Sequence, residues 1–293
     1  MTRLTATAAA KVNLFLHVGP VKANGRHDLD SLVVFSGPEV GDGVTAELAD
    51  GLSLEVTGPY ASASGETGDN LMLKAARALQ AATSSQMGAR LTLDKRLPVA
   101  AGIGGGSSDA AAVLRLLTLL WAIDPAHAAA AAPGLGGDVP VALEGLPALM
   151  RGEGEQVVPV SVKPLPAVLV NPGALCPTGP VFRAYDASGG GGDFALIGDM
   201  PQLPDAAGLS RWLTLQRNDL EAPAIALVPA IGAALSALRA QPGVQLARMS
   251  GSGATCFALC ESAGSARALA AALKAQHPDW WVEACSLGAA PWP

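Results

Sequence analysis

Apolar and polar residues alternate along the first third of the chain, and near residue 71 the period lengthens to that of a helix. Residues 14–18 and 32–35 are short apolar runs, separated by a polar turn carrying Asn24-Gly25 and His27-Asp28. Residues 44–48 and 52–56 flank Asp50-Gly51, a pair that tolerates the positive φ of a two-residue turn, so the runs are expected to pair as a hairpin. Asp69-Asn70 then precedes LMLKAARALQAA, whose spacing predicts a helix with a polar N-cap. Residues 89–93 read as a further strand.

A glycine-rich segment, LPVAAGIGGGSSD, follows and runs directly into the apolar helical stretch AAAVLRLLTLLWAI. A second glycine turn, Gly134-Leu-Gly-Gly-Asp138, stands before VPVAL. The composition shifts at 155–165, which divides the chain into expected domains 1–160 and 161–293. The second half shows a strand at 167–170 and a Gly189 to Gly192 run that suggests mobility. Helices follow at 209–215 and 224–240, then a strand–turn–strand built around Ser250-Gly-Ser-Gly253, a helix at 266–276 and a strand at 281–285. Strands and helices mix without strict βαβ alternation, so the expected class is α+β, with two domains. Trp280, Trp281 and Trp292 read as packing near the C-terminus.

Composition narrows the function. Of 293 residues, 50% are hydrophobic and 15% charged, the balance of a chain that folds around a large core. The net charge is −6 and no block of Lys and Arg occurs, which argues against a nucleic-acid partner but leaves room for a local site for one phosphorylated ligand. Four cysteines and four histidines show no zinc-ligand spacing, and Cys256 and Cys260 read as small buried hydrophobes. Lys11 and Asn13 interrupt any signal-peptide core, and the most apolar run, residues 116–123, falls well short of the roughly 20 residues of a membrane span. The expectation is a cytoplasmic protein with no membrane partner.

Consecutive glycines before a helix bring bare backbone, unpaired N–H groups and the positive end of the helix dipole together, a combination suited to phosphate. The loop is not a Walker A loop, because no Lys follows its glycines, and it is not a dinucleotide fingerprint, because Ser107 or Asp109 stands where the third glycine belongs. A nucleotide-dependent oxidoreductase therefore fits poorly.

PVAAGIGGGSSDAAA, from Pro98 to Ala112, resembles the central motif of the GHMP kinase superfamily. AAKVNLFLH at the start and ARMSGSGATCF near the end resemble its other two motifs. Gly25-x-His27-x-Leu29-x-Ser31, Asp94-Lys-Arg-Leu-Pro98 and Gly137-Asp-Val-Pro140 narrow the resemblance to the branch acting on a cytidine diphosphate-linked methylerythritol. The resemblance implies ATP and Mg²⁺ as cofactors and a small-molecule alcohol as substrate; a different small alcohol is the alternative. It also implies roles. Asp138 would be the catalytic base and Lys11 its cationic partner. Pro98, Gly102, Gly104, Gly105, Gly106, Ser107 and Ser108 would wrap the ATP phosphates, with Lys95 and Asn70 near the nucleotide. Asn13, His27 and Phe182 would hold the substrate, and Ser250 to Gly253 would turn beside its phosphates. At two positions the chain departs from the pattern: Arg26 replaces a tyrosine and is expected to stack on the base in its place, and Asp109 replaces a common asparagine. That extra negative charge near the phosphates would have to be offset by Mg²⁺ or solvent. Taken alone, Asp138 would as readily be a helix N-cap.

Overall fold

The computed structural model describes residues 2–65, 67–84, 86–198, 200, 201, 203 and 205–289. Strand β1 (Arg3–Ala9) and strand β2 (Lys11–Val21) form one alternating run divided at Ala10, where the chain passes from one sheet to another. Ala10 is fully buried, and its N–H is taken by Ser36 Oγ at 2.9 Å. The run continues through β3 (His27–Phe35), β4 (Gly41–Ala49), β5 (Leu52–Thr57), α1 (Leu71–Thr83) and β6 (Gly88–Asp94). Asn70 caps α1, its side chain accepting the Met72 N–H, as the polar pair before the helix predicts.

The first sheet has the order β1-β4-β6-β5, so β4 and β5 do not form the expected hairpin. The Asp50-Gly51 turn reverses the chain, but β6 enters between the two strands, antiparallel to β4 and parallel to β5. Burial explains the choice. Ala89, Leu91 and Leu93 of β6 are all buried and suit an interior strand, whereas β5 alternates between half-buried and exposed and suits an edge.

Helix α2 (Gly105–Leu120) follows the glycine loop and lies with α1 across this sheet. Ala110 and Ala112 keep the approach close, and Leu114 and Leu117 meet Leu79, Leu91 and Trp121 in one core. Helices α3 (Pro125–Ala131) and α4 (Val139–Glu144) complete this side. Strands β7 (Ala148–Gly152) and β8 (Gln156–Pro159) join the second sheet, of order β2-β3-β7-β8.

The third sheet draws all its strands from residues 165–287. Its order is β10-β11-β9-β12, from β9 (Leu165–Asn171), β10 (Val244–Met249), β11 (Cys256–Cys260) and β12 (Trp281–Leu287), antiparallel throughout. Between β9 and β10 run α5 (Thr178–Ala187), α6 (Ala206–Thr214), α7 (Glu221–Leu227) and α8 (Pro229–Arg239); α9 (Ala263–Gln276) precedes β12. The helix expected over 224–240 is thus two helices. Pro229 disfavours helical geometry at the preceding residue, and Val228 is extended at φ −133° and ψ 82°. Phe15 and Leu32 of the second sheet share a core with Leu169, Phe257 and Leu287 of the third, so the two halves of the chain are packed together.

Within the glycine run at 189–192, Gly190 and Gly191 sit in close contacts, while a Cβ on Gly189 or Gly192 would meet nothing within 4 Å. A side chain on Gly191 would collide with the Pro20 backbone, and one on Gly190 with the Tyr185 ring, so these glycines serve close approach. Tyr185 Oη in turn donates to the Val18 carbonyl at 2.5 Å. All four cysteines are buried, Cys256 and Cys260 within the third sheet. Trp280 stacks on His277 at 3.7 Å, Trp281 packs on the shared core, and Trp292 lies outside the described residues. Among the described residues no helix is long and apolar enough to cross a membrane.

Leu114 is fully buried at the centre of the α2 contact, whereas Leu119 on the same helix is 72% exposed. Leu114→Ala is expected to cost about 2–5 kcal/mol in urea unfolding, and Leu119→Ala less than about 0.5 kcal/mol.

Candidate active site

The glycine loop spans the gap between β6 and α2. Gly104 takes the N-cap position of α2 at φ 61°, a left-handed conformation that a side chain would strain. The first hydrogen bond of the helix runs from Ser108 N–H to the Gly104 carbonyl at 2.9 Å, so the N–H groups of Gly105, Gly106 and Ser107 precede it and have no partner within the helix. Gly102 lets the loop lie against the turn of residues 250–253: a Cβ there would sit 2.5 Å from the Ser250 carbonyl oxygen. Ser250 Oγ donates to the Gly102 carbonyl (3.0 Å) and accepts the Asn13 N–H (3.1 Å), which joins loop, turn and β2.

Lys11 opens β2 beside this loop, its N–H bonded to the Ile103 carbonyl at 2.9 Å. Its buried ammonium donates to Asp138 Oδ1 at 2.9 Å across 127 residues of sequence. Asp138 stands at the N-cap position of α4 yet makes no side-chain cap bond. The capping alternative therefore fails, and the carboxylate is turned to Lys11. Asn13, two residues along β2, donates from Nδ2 to Ser31 Oγ at 2.8 Å, while its Oδ1 is buried without a partner; the residue borders the same space. An acceptor left this way suits a ligand hydroxyl.

These groups line one cavity of about 540 Å³, within the usual range for small-molecule sites. Its wall includes Pro98, Gly102, Gly104, Gly105, Gly106 and Ser107, together with Lys95, Asp69, Asn70, Thr178, Phe182 and Ser252. Ser108 is not on it; its hydroxyl is buried without a partner behind the first turn of α2. Thr178 Oγ1 and Ser252 Oγ lie 2.9 Å apart on the wall formed by the second half of the chain.

Lys95 is buried and its ammonium sits between Asp42 Oδ2 (2.6 Å) and Asp109 Oδ2 (2.7 Å). Burial alone would lower the pKa of the ammonium, but the two carboxylates outweigh it and hold the pKa above the usual value. Burial pushes the Asp109 carboxyl upward; the Lys95 charge offsets part of that rise and Asp42 adds to it. Asp109 is thus paired with Lys95 within the protein. Sequence patterns did not single out Asp42, because a lone aspartate in a strand gains its role only when β4 meets the end of β6.

His27 does not line the cavity. Its ring is buried, with Nδ1 donating to the Gly19 carbonyl (2.9 Å) and Nε2 3.4 Å from Asp186 Oδ1. It packs 5.0 Å from the Phe182 ring, which is on the wall. Arg26 is also off the wall, and its side chain makes an ion pair. Its Nη1 reaches Glu153 Oε2 at 3.1 Å, while Lys22 Nζ and Asn24 Nδ2 donate to Oε1, each at 2.8 Å. These bonds, that from Lys22 foremost, bring the Glu153 carboxyl down to about 2.

The arrangement can receive a polyphosphate on the α2 amides and hold an alcohol between Asn13 and the Lys11–Asp138 pair. Among the described residues no three His, Cys, Asp or Glu side chains converge as a metal cage.

The chain matches the family descriptions "GHMP kinases N terminal domain" over residues 70–145 and "GHMP kinases C terminal" over residues 194–279. It is 64% identical over 291 residues to the 4-diphosphocytidyl-2-C-methyl-D-erythritol kinase of Hyphomonas neptunium, covering 98% of each chain. It is 51% identical over 280 residues to the enzyme of the same name from Cereibacter sphaeroides, covering 94% of this chain and 96% of the relative. A crystal structure of 4-(cytidine 5'-diphospho)-2C-methyl-D-erythritol kinase superposes with a TM-score of 0.77 at 36% identity, over 97% of this chain and 99% of the other. A homoserine kinase from Cytophaga hutchinsonii shares the fold, with a TM-score of 0.63 at 18% identity over 97% of this chain and 95% of its own.

Because the Glu153 carboxyl lies below its ordinary value of 4.5, at about 2, its contribution to stability is full above pH 4.5 and fades as pH falls toward 2. Acid titration of wild type against Glu153→Gln is expected to show a constant stability gap above that window, closing within it.

Proposed function

The chain belongs to the GHMP kinases, in the family of the 4-diphosphocytidyl-2-C-methyl-D-erythritol kinases, and from that premise we propose how its residues divide the reaction. The activity is ATP-dependent phosphorylation of 4-diphosphocytidyl-2-C-methyl-D-erythritol at its 2-hydroxyl, giving the 2-phosphate and ADP, a step in isoprenoid precursor biosynthesis. The observation that carries the assignment of roles is the Lys11–Asp138 pair, held at 2.9 Å beside the start of α2.

Phosphoryl transfer asks a protein chiefly for positioning and charge stabilisation. The substrate hydroxyl lies against Asp138, with Asn13 Oδ1 as a second acceptor that fixes its orientation. As the oxygen attacks the γ-phosphorus, its proton passes to the Asp138 carboxylate, the bond to the β–γ bridging oxygen breaks, and ADP departs. Lys11 balances the negative charge on the attacking oxygen and holds Asp138 in place. The N–H groups of Gly105, Gly106 and Ser107 receive the phosphate oxygens. Mg²⁺ would travel with the nucleotide, held by its phosphates at this end of α2, and would shield their charge. Asn70 lies on the nucleotide side of the cavity, while Lys95 acts from beneath the loop.

The cytidyl end rests against Phe182, and His27 supports that ring from behind. Arg26 is tied to Glu153, so the exchange of tyrosine for arginine leaves the Phe182 face of the subsite in place. The cleft runs between an N-terminal domain of residues 1–160 and a C-terminal domain of residues 161–293, and the protein works in the cytoplasm.

Asp138→Asn retains an oxygen to accept from Lys11, so steady-state assays should show kcat down about 10²–10⁴-fold with KM for ATP nearly unchanged. Near-normal turnover would remove Asp138 as the base. For Phe182→Ala, KM for the cytidyl substrate is expected to rise about 5–150-fold, the equivalent of roughly 1–3 kcal/mol of base stacking, with KM for ATP unmoved.

A further inference from the structure

The ten residues from Lys95 to Gly104 begin and end at one buried ionic cluster. At the entry, Asp42 Oδ1 accepts the N–H groups of Arg96 (2.6 Å) and Leu97 (2.8 Å), while the Lys95 N–H bonds to the Thr57 carbonyl (2.8 Å). At the exit, Asp109 sits in the first turns of α2, and the Lys95 ammonium joins it to Asp42. Lys95 also reaches the first residue of α2: a Cβ on Gly105 would stand 3.2 Å from Nζ. All three residues are at most 4% exposed, so water does little to screen the cluster.

We propose that Asp42, Lys95 and Asp109 form a tether that closes the ends of the glycine loop and presets it for nucleotide, making Asp42 and Asp109 positioning residues for ATP. The physical basis is preorganisation. A glycine-rich segment has wide conformational freedom, and ordering it on binding would draw on the affinity of the nucleotide. Fixing both ends in the free protein removes much of that loss, and charge-assisted bonds in a buried setting are strong enough to do so. Asp42 acts on the entry through two backbone N–H groups, and Asp109 on the exit through the helix it belongs to. Neither needs to touch the nucleotide. The inference rests on the reading of the loop as the phosphate site, and the experiment separates the two.

Asp109→Ala leaves Lys95 paired with Asp42, so no buried ammonium is stranded. Steady-state assays are expected to show KM for ATP raised about tenfold, with KM for the cytidyl substrate and kcat within about threefold. Asp109→Asn keeps an oxygen toward Lys95 and should restore KM for ATP to within about threefold of wild type. Equal rises in both KM values, or a fall in kcat alone, would overturn the tether. If Asp109→Ala does not fold, calorimetric ADP binding to Asp109→Ser, which is too short to reach Lys95, decides: a loss of about tenfold supports the tether and a loss under about threefold refutes it. Gly106→Asp tests the underlying reading, because a Cβ there meets nothing within 4 Å and a carboxylate suits a helix N-terminus but repels phosphate. An unchanged KM for ATP in that variant defeats the loop assignment and the tether with it; a raised KM there beside a normal one in Asp109→Ala defeats the tether alone.

Discussion

Everything in the cleft depends on bare backbone meeting bare backbone at Gly102. There the loop before α2 rests on the turn of residues 250–253, with no room for a side chain between them. Ser250 completes the junction by bonding both Gly102 and Asn13, so a residue from near the end of the chain sets the position of a loop near residue 100 and of the second strand. Lys11 and Asn13 then project into the cavity from a strand tied to that same loop. Move the contact at Gly102, and the α2 amides and the Lys11–Asp138 pair lose their common frame.

The electrostatics of the site follow from how its charges are paired. The protein is acidic overall, and each lysine of the cavity is matched by carboxylate: Lys11 by Asp138, and Lys95 by Asp42 and Asp109. In the reading proposed above, attraction for a polyanion comes from oriented backbone N–H groups at the α2 terminus, whose partial charges are fixed by the helix and need no counterion. Such a site discriminates by shape, because the donors accept phosphate only where the glycines admit it. A surface rich in lysine would bind polyanions with far less selection.

The differences between expectation and structure share a cause. Asp50-Gly51 does make a turn, but whether β4 and β5 pair depends on β6, whose buried face competes better for the middle of the sheet. Four glycines at 189–192 look like a flexible link, yet two of them pack where side chains would collide. Arg26 reads as one residue of a polar turn, yet the carboxylate it meets, Glu153, lies 127 residues away. In each case a local pattern was sound and a distant partner chose its use.

The sequence alone determined what depends on near neighbours: the helix at residue 71 with its Asn70 cap, the glycine loop entering a helix, the mixed α+β class, and the residue types able to bind phosphate and move a proton. The resemblance to the GHMP kinases also implied Lys11 and Asp138 as partners, although spacing could say nothing of their distance. Only the tertiary structure decided that Asp138 turns away from its own helix to reach Lys11, that His27 stands behind Phe182, and that Asp42 meets Lys95 at all. The reason is physical. Periodicity and capping are energies between residues a few positions apart, while the pairing of buried charges depends on which strands and helices are brought together. That is settled by burying the whole apolar core at once.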